Sequence, residues 1–510
     1  MIADVCNARE QGLVGDGVAN DQPALAALVE RLGGEYLADH RPRVIYCPPG
    51  VYVLRDATTV WKSGISLIGA GAGPTRFVLE NPGNPREPMA LAQYTEAKHG
   101  ANKENPLSDC SFAAFEIDGS RVKLEKYDPH AKGLDLQYMT RARFRDLYIH
   151  HTAATGLGCD HLQDSVIEDV LAVGCGRMDP GDQPGGAGIG IGIGGWGPME
   201  RLSINDCSAV GNGTNGIFVE LQQGKWPPPR GIKVVGCHVT GNRFGISDWG
   251  ADGLIVCACV MSGNLEAGFD VSGRGVASVA GRAGLLTDCV VDGNARDGVS
   301  IGNTPGPYTV RGNRISHNGR HGYHQHNFKK SGEPAYEIVV EANEIWNNAL
   351  DGVRLEGSLV DAAIVGNRIR NNGRQSEAAY SGEGPGVTYT NMSVIDAKAN
   401  WPVDGHKGKL IAARGMEAVV LSNTDKELTL APYRPGATRA WKDAAPSAGT
   451  RYALRAAPEV RPGLALAGAM AGAWIRGNRI WDNQARGTQT HSLWTAPTGQ
   501  CSACRIEDNE

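Results

Sequence analysis

No run of about 18 apolar residues, the length a membrane-crossing helix needs, occurs anywhere in the chain, so no membrane span is expected. The opening, MIADVCNARE, lacks the apolar stretch of a secretory signal; either one is removed or none is needed. Aromatics are scarce at 6%, and neither sign of charge dominates. Fifty Lys and Arg against 55 Asp and Glu leave a net charge of −5, which gives no general attraction to nucleic acid or to an anionic membrane. An anionic ligand must therefore meet a local patch. At 21%, charged residues are too few for a disordered chain. The twelve cysteines mostly recur singly, as small packed apolar residues do. The lone C-x-x-C, Cys501 and Cys504, has no second pair to complete a thiolate metal site. What is plentiful is glycine, 69 of 510 residues, about twice the usual share. A chain this long and turn-rich reads as an elongated repeat array.

One phrase recurs: INDCSAVGN, VVGCHVTGN, VCACVMSGN, LTDCVVDGN, VRGNRISHN, VEANEIWNN, IVGNRIRNN and IRGNRIWDN. Its marker residue is Cys207, Cys237, Cys259, Cys289, Asn313, Asn343, Asn367 and Asn478, and Asn509 continues the column. Spacings of 30, 22, 30, 24, 30 and 24 fit a coil of about 22 to 24 residues with an extra loop on alternate turns; the next gap, 111, needs an inserted module. After each phrase comes a glycine and a short alternating strand, such as GIFVE, GVSIG, GYHQH and GVRLE. Period-two alternation with Gly- and Asn-rich turns excludes a helical solenoid and predicts stacked β coils, with the marker column as an internal ladder.

Ahead of the coils, GLVGDGVANDQPALAALVERLGG predicts a turn, an N-cap at Asp21 and an amphipathic helix closing at Gly33 and Gly34. The GDG of Gly15 to Gly17, then Asp21, the helix, and PPG at Pro48 to Gly50 resemble the opening of the pectate-lyase-like β-helix superfamily. That resemblance implies an all-β fold, a right-handed parallel β-helix with an N-terminal capping helix. It is compatible with lyases, hydrolases, epimerases and phage tailspikes. The expected organisation is cap and first coils over 1–105, helix core over 106–390, a small β-rich insertion over 391–465, and resumed coils over 466–510. The chain reads as a possible piece of a longer one.

Within each glycine-led strand the first and third residues are apolar and expected to face in, while the second and fourth line an outer face. The outer set includes Asp135, Gly158, Asp160, Gly190, Gly192, Glu220, Trp249, Asp270, Ser300, His324, His326, Arg354, Glu356, Thr388 and Thr390. GRHGYHQHNFKK, residues 319–330, concentrates three histidines and two lysines. On an acidic chain it reads as a basic patch for an anionic polymer, with His324 and His326 as acid/base or binding groups beside Arg354 and Glu356. His-x-His with a glutamate is also a metal-ligand pattern. Lys329 and Tyr127 are further binding candidates, the latter from a loop, KYDPH, that reaches over the groove with His130. Asp248 falls on an inward position beside Trp249; Trp196 and Trp226 are candidate sugar platforms. GIGIGIGGWG opens no helix and is read as small residues leaving a groove.

TGLGCDHLQD resembles the catalytic segment of alginate carbon-5 epimerases: Gly156, Gly158, Cys159 and Asp160 match, whereas Leu157 and Leu162 replace the family's tyrosine and histidine. By that resemblance Asp160 is a neutraliser or acid/base; His161, Asp135 and Lys132 are catalytic candidates by spacing. The implied activity is β-elimination or epimerisation of an acidic polysaccharide. Hydrolysis is the alternative, since Asp135 and Asp160 fall roughly 8 Å apart by β geometry. A non-catalytic glycan-binding tail or adhesin is a third reading. The reading requires no cofactor and admits a divalent cation such as calcium. It expects a polysaccharide partner, no nucleic acid, no membrane, a monomer or homotrimer, and an extracellular or phage-virion location.

Overall fold

The computed structural model describes residues 4–177, 185–328, 333–376, 378–433 and 437–510. Strands make up 46% of the chain and helices 5%. Contacts divide it into two compact units, Met1–Asn242 with Asp248–Ile255 and Arg274–Val279, and Arg243–Ser247 with Val256–Gly273 and Ala280–Glu510. Each is a parallel β-helix. No helix among the described residues is long and apolar enough to cross a membrane.

In the first unit an outer sheet runs through Thr59–Val60, Ala92–Tyr94, Leu134–Thr140, Leu157–Gln163, Ile189–Ile193 and Asn215–Leu221, each strand parallel to the next. In-register stacking places like residues over like: Phe112 pairs with Phe144, and their rings stack at 5.5 Å. The helix Gln22–Asp39 buries Leu25, Leu28, Val29 and Leu32. It runs past Gly33 and Gly34 to a left-handed His40. Gly33 is not a stop signal: a side chain there would strike Lys62, so the glycine admits a close neighbour. Asp21 occupies the N-cap position but caps no helix N–H; its carboxylate accepts from Val14 and Gly15 and pins the preceding turn.

In the second unit the corresponding sheet runs through Phe269–Val271, Val299–Gly302, Tyr323–His326, Val353–Leu355, Pro462–Leu466 and His491–Thr495. The marker column is a continuous ladder from Cys259 and Cys289 through Asn313, Asn343, Asn367 and Asn478 to Asn509. Each side chain accepts the backbone N–H of the marker one coil before. Each of Asn313 to Asn478 also donates to the next amide and to a core carbonyl, so a fully buried amide has every bond met. The last asparagine of the phrase forms a second ladder, Asn264, Asn294, Asn318, Asn348 and Asn372, with Gln489 in place of the displaced Asn483. The cysteines are free thiols.

Between the ladder neighbours Asn367 and Asn478 the chain leaves the coils and forms seven antiparallel strands, from Tyr380–Gly382 to Tyr452–Leu454. Their core holds Trp401, Trp441, Tyr452, Ile411 and Leu428. Val387–Tyr389 belongs to this sheet, so Thr388 and Thr390 are not on the outer face of a coil. A two-residue alternation cannot tell a coil strand from a hairpin strand. The sheet docks through glycine: a side chain on Gly408 would collide with the backbone of Gly319, and Lys407 Nζ donates to the His317 carbonyl.

Candidate functional site

In the first unit, Asp135 lies opposite Gly158 and Asp160 opposite Gln137, which sets the two carboxylates diagonally on adjacent coils. Lys132, three residues before Asp135, crosses between them: Nζ is 2.9 Å from Asp135 Oδ1 and 3.9 Å from Asp160 Oδ2. Gly158 makes the crossing passable, since a Cβ there would sit 2.2 Å from Lys132 Cδ. Gly192 brings its N–H within 2.8 Å of Asp160 Oδ1, and Gln137 Nε2 donates to Oδ2 at 3.0 Å. Asp135, fully buried, also receives Gln93 Nε2 at 2.8 Å and His130 Nδ1 at 2.9 Å. Burial would raise Asp135, but Lys132, His130 and Gln93 overcome it and hold the carboxyl at about 2. Burial would likewise lower Lys132, yet Asp160 and Asp135 hold it above its ordinary value. The hydrogen bond to Asp135 raises His130, whose ring stays 36% exposed.

The glycines of this face are not an empty groove. A Cβ on Gly190 would meet Phe218, and one on Gly192 would meet Asp160. The face is filled by its neighbours. His161 is not an outer residue either. Its backbone is left-handed and its ring is buried against Tyr138 and Trp226. Nδ1 accepts from Gly195 N, and burial keeps the ring neutral. Trp196 Nε1 donates to the His161 carbonyl at 2.7 Å, and Glu200 accepts from Gly194 and Trp196, its carboxyl pushed up to about 8 by burial. Glu220 is buried and raised for the same reason, while accepting from Val276 N. Asp248 is fully buried and holds the turn at Gly250 and Ala251, so it is no substrate contact; Trp249 packs against Phe218. Tyr127 is half-buried within the field of Lys132, and burial raises its hydroxyl.

In the second unit His324 lies opposite Ser300 and Arg354, as the alternation requires, with Tyr323 and Gln325 inside and bonded to each other. It is not open to ligand: only 2% exposed, its Nδ1 lies 3.3 Å from Asp297 and its Nε2 3.1 Å from Glu356. Burial would lower this histidine, but Asp297 and Glu356 raise it, so it is an enclosed imidazolium. Glu356, against burial, is brought to about 2 by His324 and Arg354. It is bound to His324 rather than paired with His326, whose ring stacks on Phe328 and approaches Ser300 at 3.2 Å. Arg354 also reaches Asp351 at 3.0 Å; burial pushes Asp351 up to about 6 despite that contact. His317 meets Asp292 and Arg320 meets Asp297. Among the described residues, His317, Arg320 and His324 of the expected basic patch are thus paired with carboxylates. Asp270 is buried and receives Ser272 Oγ. Lys329 and Lys330 lie outside the described residues.

Asp297, His321 and His324 bring their ligand atoms within 4.8 Å. One carboxylate and two imidazoles do not suit calcium, which takes six to eight oxygens; zinc or copper is the better match. The trio is committed elsewhere, however. His321 N donates to Asp297, and Asp351 N donates to His321 Nδ1, a ladder that leaves the ring proton on Nε2. His324 faces carboxylates on both nitrogens. No imidazole lone pair is left for a metal at this trio.

His130, Gln93, Asp297 and Asp351 were not assigned catalytic or binding roles from sequence. Asp297 and Asp351 had a readable signal, DGV before two neighbouring strands with HGY between, and His130 had its loop position; Gln93 had none.

Residues 5–241 match the family model described as Rhamnogalacturonase A/epimerase, pectate lyase-like, and residues 203–391 match that of Periplasmic copper-binding protein (NosD). The chain is 25% identical to Mannuronan C5-epimerase AlgE3 of Azotobacter vinelandii, over 33% of this chain and 10% of that protein. It is 24% identical to AlgE1 of the same organism, over 33% and 14%. The chain thus spans only a small part of these relatives. The Family 28 exopolygalacturonase of Yersinia enterocolitica superposes with a TM-score of 0.52 at 11% identity, covering 73% of this chain and 76% of that one, which is a likeness of fold.

Proposed function

The chain is a pectate-lyase-like parallel β-helix protein, and we propose that it acts as an enzyme on an extended, uronate-containing polysaccharide at Lys132, Asp135 and Asp160. The reaction removes the proton beside the uronate carboxyl. The observation that carries this reading is the Lys132 ammonium between two carboxylates, with the His130 ring anchored on Asp135. A carboxyl held at about 2 has no proton to give a glycosidic oxygen at neutral pH, so Asp135 is not the acid that hydrolysis needs. A cation beside a half-open imidazole suits another task. Lys132 neutralises the substrate carboxylate, which acidifies the adjacent C5–H. His130 Nε2 takes that proton, and its bond to Asp135 orients the ring and stabilises the imidazolium. Asp160 is a positioning residue for Lys132.

In β-elimination the C5–H electron pair becomes the C4–C5 double bond, the C4–O bond breaks, and the leaving oxygen takes a proton from Tyr127. In epimerisation the C4–O bond stays intact, the Tyr127 hydroxyl gives C5 a proton on the opposite face, and solvent carries the proton on His130 back to Tyr127. The name of the curated relatives, mannuronan C5-epimerase, belongs to this substrate class and supports the reading. An extracellular or virion-borne protein, monomeric or trimeric, goes with such a substrate.

One observation favours hydrolysis instead. Glu220, a carboxyl raised by burial, lies opposite Gly192, whose N–H meets Asp160. Two coil spacings of about 4.8 Å separate the carboxyl-bearing strands, near the range inverting glycosidases use. Glu220 would then be the acid and Asp160 the base. Incubation with polymannuronate and polygalacturonate in heavy water separates the two. The expected result is unsaturated-uronate absorbance or deuterium at C5, abolished in His130→Ala and Lys132→Met and kept in Glu220→Gln. New reducing ends without either signal would establish hydrolysis, and no change in any polymer would overturn both.

A further inference from the structure

The second unit contains a cavity of about 460 Å³ between the strand Val353–Leu355, the segment Pro458–Val460 and Trp494. That volume falls among small-molecule sites, roughly 300–1,000 Å³. From its lining we propose that it binds a neutral sugar unit of a polysaccharide, a site separate from the chemistry at Lys132 and testable without it.

Three features of the lining specify the ligand. Arg354 is fixed from two sides, Nε by Glu356 and Nη1 by Asp351, while Nη2 makes no hydrogen bond to a described residue. A guanidinium immobilised this way presents a donor without further loss of side-chain freedom. Glu459, exposed at the rim, has no partner among the described residues and offers a free acceptor. Trp494 is half-exposed, and with Leu350, Pro458 and Val460 it supplies an apolar wall opposite the polar one. A pyranose ring has matching halves: C–H groups for the indole face, vicinal hydroxyls that both accept from Arg354 and donate to Glu459.

Charge decides between neutral and acidic sugars. Arg320 and Arg354 share the wall with Asp351, Glu356 and Glu459, and behind them His324 is closed against Asp297. Two guanidiniums against three carboxylates give an anion no net attraction, and one of the two Arg354 contacts would have to break for a carboxylate to take either edge of its fork. Hydroxyls need only what is left over.

The test is calorimetric titration of the whole chain with cellotriose, maltotriose, mannotriose and trimannuronate. At least one neutral trisaccharide should bind, with an affinity unchanged within about twofold between low and high salt. Trp494→Ala should weaken it about tenfold, and Trp494→Phe should restore most of the loss. Circular dichroism of both variants checks the fold. Binding of trimannuronate alone, a steep salt dependence, loss of affinity by no more than twofold in Trp494→Ala, or no binding by any neutral sugar would each overturn the proposal.

Discussion

Replacing Lys132 by methionine keeps the aliphatic stem over Gly158 and removes the ammonium alone. Asp135 is fully buried and Lys132 12% exposed, so the change strands a carboxylate with only His130 and Gln93 to hold it. Breaking one side of a buried pair costs about 3–5 kcal/mol. The pH dependence carries a second signature. Lys132, His130 and Gln93 hold the folded Asp135 carboxyl at about 2, below the ordinary aspartate value of about 3.9, a difference worth roughly 2 kcal/mol. Because the folded value is the lower one, this stability is present above about pH 4 and lost as pH falls towards 2. In Lys132→Met burial prevails, Asp135 rises, and that acid-side loss disappears. The assay is urea denaturation at pH 7, 4 and 2.5, with amide exchange across Leu134–Thr140, since a repeat array unfolds by coils rather than as one state. Adding Asp135→Asn should recover most of the loss, because the stranded charge is gone. A single-variant cost below about 0.5 kcal/mol, or a double variant worse than the single, would refute the reasoning.

Asn343→Ala removes one rung of the marker ladder, leaving the Asn313 backbone N–H without its acceptor and its side-chain amide with the Leu286 carbonyl alone; the expected loss is roughly 2–4 kcal/mol, read by thermal denaturation and by exchange in the flanking coils. His324, raised above its ordinary 6.5, contributes stability that is complete below about pH 6.5 and lost as pH rises through its folded value. His324→Gln should flatten that dependence, which Asp297, Glu356, Arg320, His321 and Arg354 otherwise shape. Gly158→Ala pushes a Cβ into Lys132 and should cost at least about tenfold in turnover while circular dichroism stays unchanged; unchanged turnover would detach Lys132 from the chemistry.

Coil period, strand alternation and the place of Asn509 were legible because stacking repeats one environment every coil, and a repeated environment selects a repeated residue. The second asparagine ladder stands five residues after the marker in the same phrase, and the same repeated environment selects it. Openness was not legible. His324 sits on the outer side of its strand, as its parity demands, yet Glu356 from the next coil and Asp297 from the one before close over it. Sequence parity specifies the direction of a side chain and is silent on what the adjacent coil lays across it. His161, a candidate by its spacing from Asp160, is enclosed for another reason: its left-handed backbone in mid-strand accompanies a ring packed against Tyr138 and Trp226.

The same geometry explains where function can reside on this fold. Coils about 4.8 Å apart set each outward charge against the same position of its neighbours, close enough for a hydrogen bond. A column of charged residues is thereby driven to neutralise itself: Lys132 with Asp135 and Asp160, His324 with Asp297 and Glu356, Arg354 with Asp351 and Glu356. Such columns contribute stiffness and fixed fields, and what they leave for a ligand is a remainder: the Lys132 ammonium beside His130, and Nη2 of Arg354. Two further open groups come from segments outside the outer strands, His130 on its loop before Leu134 and Glu459 on the return from the inserted sheet, while Trp494 continues the column of His324, Arg354 and Ala465 as an uncharged member. In this chain the stacked charges build the electrostatic floor, and the exposed groups stand where a loop or an uncharged column member breaks the run of ion pairs.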